Sequence, residues 1–197
     1  YFLFMSYGFL DSTGGYQMRI FRSEKPDGPF VDCYGTSAIY NGYRMNYSST
    51  TTDNRGVLLF GGYQWDAMSG AEIAQGHNSA FVDEKGRAFV VYHTRFSNGG
   101  EGHQVRVHQL FLNDEGWLMA APFEFDGETI TNEAIATKAS IADADIAGDY
   151  QFMRHQYGQN TAAKAYETPV NITLNEDGTI TGSEKGTWKR TVGTDFI

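Results

Sequence analysis

Cysteine is almost missing from this chain of 197 residues. A single one, Cys33, has no internal disulfide partner, so cysteine usage leaves cytosol and exterior equally open. Positive charge is also scarce, with 15 Lys plus Arg against 24 Asp plus Glu and a formal net charge of −9. A nucleic-acid binder held mainly by phosphate contacts needs a basic face, which this balance excludes. No apolar run approaches the roughly 20 residues of a membrane helix, because the longest aliphatic stretches are broken by Tyr, Gly or Ser. Leucine occurs only 8 times, too few for a helical bundle.

What is abundant points the other way. Fourteen Phe, 12 Tyr and 3 Trp stand beside 23 Gly, which argues for short strands and tight turns. Hydrophobic residues at 41% and charged ones at 20% suit a folded globular chain and not a disordered one. Strand-like segments appear at 1–8, 16–23, 56–63, 77–83, 88–96, 103–113 and 117–125, bounded by Gly, Asp, Asn and Pro clusters. Three hairpin turns share one grammar: Asp83-Glu84-Lys85-Gly86, Asn113-Asp114-Glu115-Gly116 and Asn175-Glu176-Asp177-Gly178 each place Gly where a left-handed residue is wanted. The fold class is all-β. A sandwich and a propeller both give short strands at regular intervals, but a propeller blade is four consecutive hairpin-joined strands, and residues 77–125 supply such a run. Residues 1–33 supply most of another, with Phe30–Cys33 as a short outer strand.

After Phe125 the composition changes. Residues 127–147 read as a linker with one short helix, in which Ser140 and Asp143 cap, Ile141 and Ile146 anchor, and Gly148 stops it. Residues 148–197 read as a separate small β domain. The opening Tyr1-Phe2-Leu3-Phe4-Met5-Ser6-Tyr7-Gly8 resembles a buried strand already under way, and the chain ends on Phe196-Ile197. Both ends suggest a piece of a longer protein.

Few residues carry chemistry. His77 sits in Gly76-His77-Asn78-Ser79-Ala80, read as a strand start with small neighbours that would suit an inner edge lining a channel; it is either a site residue or a structural histidine. His93 alternates with bulky apolar residues and reads as a hydrogen-bonded core histidine. His103, His108 and His155 lack supporting partners. There is no zinc spacing, no phosphate loop and no nucleophile elbow. Asp83, Asp114, Glu115, Glu176 and Asp177 fall in turns, while Asp11, Asp32, Asp53 and Asp66 are less obviously turn residues. Glycoside hydrolysis needs two carboxyls roughly 5–9.5 Å apart, and no pair is singled out.

Five segments in order resemble the endo-acting α-1,5-L-arabinanases of glycoside hydrolase family 43: Tyr1–Gly8, Gly14–Ser23, Gly76–Ala80, Tyr92–Phe96 and His103–Gln109. The resemblance implies that residues 1–126 are the last blades of a five-bladed β-propeller, followed by part of a small β-barrel accessory domain. It implies inverting, endo-acting hydrolysis of arabinan by a secreted enzyme. Its base Asp, orienting Asp and acid Glu would lie upstream, with no catalytic residue in this chain and the N-terminal half of the propeller as its partner. It also implies that His77 binds a calcium ion in the channel, alongside waters. One imidazole is an atypical ligand for calcium, which prefers six to eight oxygens. Alternatives within the same fold are an exo-acting arabinofuranosidase or xylosidase, or a carbohydrate-binding propeller without activity.

Overall fold

The computed structural model describes residues 1–8, 10, 15–39, 55–127, 143–155 and 166–190. Within them the all-β expectation holds: strands make three antiparallel sheets, with one turn of helix. The first sheet orders β1 (Phe2–Tyr7), β2 (Gln17–Arg22) and β3 (Val57–Phe60). β1 meets β2 from Phe2 opposite Arg22 to Tyr7 opposite Gln17. β2 is buried on both faces, Gln17 through Phe21 all lying inside. Such a strand is ordinarily an apolar run, and here its two polar members satisfy each other: Arg19 Nε donates to Gln17 Oε1 at 2.9 Å and Nη1 to the Gly56 carbonyl at 3.0 Å. The expected outer strand at Phe30–Cys33 reduces to single bridges from Val31 to Arg22 and Ser37.

The second sheet is the expected run of four, β4 (Glu72–Val82), β5 (Ala88–Phe96), β6 (Gln104–Leu112) and β7 (Leu118–Ala120), each beside the next in sequence. Two boundaries differ most: β7 stops at Ala120, five residues short of the expected Phe125, and β4 begins early. β4 starts at Glu72, so His77 lies inside the strand and not at its start. Gly76 mimics a strand boundary for a steric reason, because a Cβ there would sit 2.1 Å from the Tyr16 ring.

The third sheet runs β11-β10-β9-β8, from β8 (Gly148–Phe152), β9 (Val170–Leu174), β10 (Thr179–Gly182) and β11 (Gly186–Thr187). Helix α1 (Asp143–Ile146) is a single turn whose Ile146 packs with Ile172 and Leu174, flanked by Phe152, Ile180 and Trp188. Ser140 and Ile141, expected to cap and anchor it, lie outside the described residues. The three hairpin turns form as their sequences demand: Gly86, Gly116 and Gly178 have φ of 76°, 73° and 82°, a conformation that glycine adopts without the Cβ penalty. Each glycine N–H closes its turn on the carbonyl of Asp83, Asn113 or Asn175, at 2.9–3.0 Å.

The chain forms two compact units: Tyr1–Ser79 with Val91–Val107 and His155–Glu167, and Ala80–Val90 with His108–Arg154 and Thr168–Ile197. In the first, the core holds Met18, Ile20, Phe21, Phe60, Ile73 and Tyr92. In the second it holds Phe89, Leu110, Phe111, Trp117, Ile172 and Leu174.

Candidate functional site in the bend of strand β4

From Ala71 to Gly76 the chain is buried, and at His77 it turns exposed. The switch coincides with two non-glycine residues in the left-handed region, Ala74 at φ 55° and His77 at φ 52°. An L-residue pays for that conformation through contact of its Cβ with the backbone. His77 is held there by its N–H, which donates to Ser6 Oγ at 3.2 Å, while Ser6 Oγ reaches Asn78 Oδ1 at 3.5 Å. The His77 ring meets the His93 ring edge-on, centroids 5.5 Å apart.

His93 was expected to be a hydrogen-bonded core histidine, and the structure corrects this. It is half-buried, its Nδ1 is enclosed without a hydrogen-bond partner among the described residues, and it stands between imidazoles, with His103 edge-on at 4.8 Å and Tyr16 tilted at 6.0 Å. Burial and the neighbouring His103, His77 and Arg95 push its pKa below the usual histidine value. His103, which had no visible partner in sequence, therefore joins the same cluster. His108 is structural, fully buried with Nδ1 2.8 Å from the Ala121 carbonyl oxygen. His155 packs edge-on against Tyr63 at 6.2 Å, and burial lowers its pKa.

The carboxylates behave as turn and core groups. Asp32 is buried, with Oδ1 accepting from the Tyr34 and Thr36 N–H groups at 2.9 Å and Oδ2 from the Gly56 N–H at 3.1 Å. Asp66 is exposed, as are Asp114, Glu115, Glu176 and Asp177. Asp83 is tied to the Arg87 guanidinium at 2.7 Å. Asp11 and Asp53 lie outside the described residues. Sequence reasoning missed Glu72, a carboxylate only 3% exposed that accepts from Tyr92 Oη at 2.6 Å and Tyr63 Oη at 3.1 Å. Its one signal was a lone acid between Ala71 and Ile73. The described residues contain no group of three or more His, Cys, Asp or Glu placed to hold a metal ion. His77 can offer one exposed imidazole to a cation.

The chain is similar to known proteins. Residues 122–197 match the C-terminal lipocalin-like domain of glycoside hydrolase family 43. More broadly, the chain is similar to the C-terminal part of endo-α-1,5-L-arabinanases. It is 40% identical to the extracellular endo-α-(1→5)-L-arabinanase 2 of Bacillus subtilis over 97% of its own length and 40% of that protein's. The Thermotoga petrophila endo-1,5-α-L-arabinanase, solved with TRIS, shares 40% identity and superposes with a TM-score of 0.80 over 96% of this chain and 40% of that one. A family 43 glycoside hydrolase from Bacillus licheniformis gives 37% identity and a TM-score of 0.81 over 97% of this chain and 41% of that one. The chain thus spans about two fifths of the length of the curated relatives it matches. No helix among the described residues is long and apolar enough to cross a membrane.

Proposed function

We propose that this chain is the C-terminal portion of an extracellular glycoside hydrolase that cleaves α-1,5-linked L-arabinan internally, with inversion. The observation that carries the reading is identity of 40% along nearly the whole chain with proteins named extracellular endo-arabinanases. In this reading β1–β3 and β4–β7 are consecutive blades of a five-bladed propeller, and residues 148–197 are part of the accessory barrel. The base Asp, orienting Asp and acid Glu belong to the part of the enzyme outside this chain. Asp32 and Glu72 are buried and bonded within the fold, and Asp83, Asp114, Glu115, Glu176 and Asp177 lie in hairpin turns, which supports that division, since a hydrolytic pair must face the scissile bond from both sides.

His77 serves in this reading as the protein ligand of a calcium ion whose remaining positions are filled by water. The exposed ring on a restrained backbone supports the role, and the described residues hold no group of three or more His, Cys, Asp or Glu that could form a larger ligand set. A cation bound there favours the ionised forms of nearby carboxylates. The test is product analysis on linear arabinan with the longer protein. Oligosaccharides of mixed length are the expected early products; arabinose alone would instead indicate exo-action.

A further inference from the structure

We propose that Glu72 is a positioning residue for His77, acting through Tyr63 and Tyr92 to lock the bent segment of β4 that presents the imidazole. The proposal rests on the reading of His77 as the calcium ligand. It starts from strain: two left-handed non-glycine residues three positions apart in one strand persist only where the surroundings over-determine them. The residues from Ala71 to His77 are restrained almost one by one. Ala71 N–H donates to Ser97 Oγ at 2.9 Å, and its carbonyl accepts from the Ser97 N–H at 2.9 Å. The Ile73 carbonyl accepts from Thr94 Oγ1 at 2.9 Å. The Gln75 carboxamide donates to the carbonyls of Gly61 at 3.0 Å and Glu72 at 3.1 Å. Gly76 lies against the Tyr16 ring, and the His77 N–H reaches Ser6.

Glu72 sits at the root of this set. Its backbone N–H and carbonyl pair with Tyr63 at 2.9 and 3.0 Å, and its carboxylate takes both phenols. Burying a carboxylate is unfavourable unless it is well bonded, and an apolar side chain would fill the same space without that cost. What the carboxylate adds is direction: it fixes β4 at once to Tyr63, which precedes the strand, and to Tyr92 on β5. Burial, the Glu72 charge and the shared hydrogen bond push the Tyr63 phenol far above its usual value, so it remains a donor. The carboxylate itself is enclosed and turned to phenols, so its effect on His77 passes through the backbone.

The experiment uses the longer protein carrying Glu72→Gln, and separately the apolar triple variant Glu72→Leu, Tyr63→Phe, Tyr92→Phe. Calcium affinity is measured by calorimetry, folding by thermal melting, and the backbone at residue 77 by crystallography. Loss of an orienting group around a metal ligand costs about ten- to a hundredfold in affinity, and that loss is expected in both variants, with His77 leaving the left-handed region. Should the triple variant fail to fold, the near-isosteric Glu72→Gln decides alone. Unchanged calcium affinity with His77 still at its present φ would overturn the proposal, even if the melting temperature falls. His77→Ala separates the two readings: calcium affinity that survives it refutes the ligand role, and the conformation of residue 77 in the Glu72 variants then still decides the positioning role.

Discussion

The histidines of this chain differ in what surrounds each ring. His155 is pressed against Tyr63, and burial lowers its pKa from an ordinary 6.5. The unfolded chain therefore takes up this proton first, so the contribution of His155 to stability is complete above about pH 6.5 and shrinks as pH falls through the window below it. Urea midpoints measured between pH 7.5 and 5 are expected to fall, and His155→Leu is expected to flatten that dependence. An unchanged slope in the variant would show that other groups carry it. At this scale the sequence singled out His77 as a candidate, from its small polar neighbours and from the family resemblance. It concealed the partners: His93 lies on β5 and His103 ten residues on, just before β6, and only the pairing of β5 with β6 brings their rings to 4.8 Å. Glu72 was hidden likewise, since its partners Tyr63 and Tyr92 lie nine and twenty residues away.

Among the elements, β4 depends most on a single small residue. Gly76 has no room for a side chain, the Tyr16 ring lying where a Cβ would go. Gly76→Ala must displace that ring, and overpacking of this kind costs about 1–3 kcal/mol. Chemical denaturation is the measurement, and stability equal to the parent would mean that the ring moves freely. The same glycine explains why strand boundaries were only partly legible. Turn chemistry is local, so the hairpins at Gly86, Gly116 and Gly178 were readable directly, along with the strands they join. The start of β4 is marked by the bridge of Glu72 to Tyr63, and its interior at Gly76 is packed by the Tyr16 ring, contacts that no short window of sequence contains. Helix α1 ends at Ile146, ahead of Gly148, while Ser140, read as a cap, and Ile141, read as an anchor, fall beyond the described residues.

For the whole molecule, the informative quantity is coverage. The chain matches its curated relatives along almost all of its length but only 40% and 39% of theirs. An acidic, aromatic-rich composition fits a neutral polysaccharide, gripped by ring stacking and hydrogen bonds without ionic steering. The described carboxylates are taken up by turns, core bonds or solvent, so hydrolysis in this account requires acids from elsewhere in the longer protein. Incubation of linear arabinan with this 197-residue chain alone and with the longer protein tests that claim most directly. The account expects oligosaccharides from the longer protein and none from the chain by itself; release of oligosaccharides by the isolated chain would contradict it.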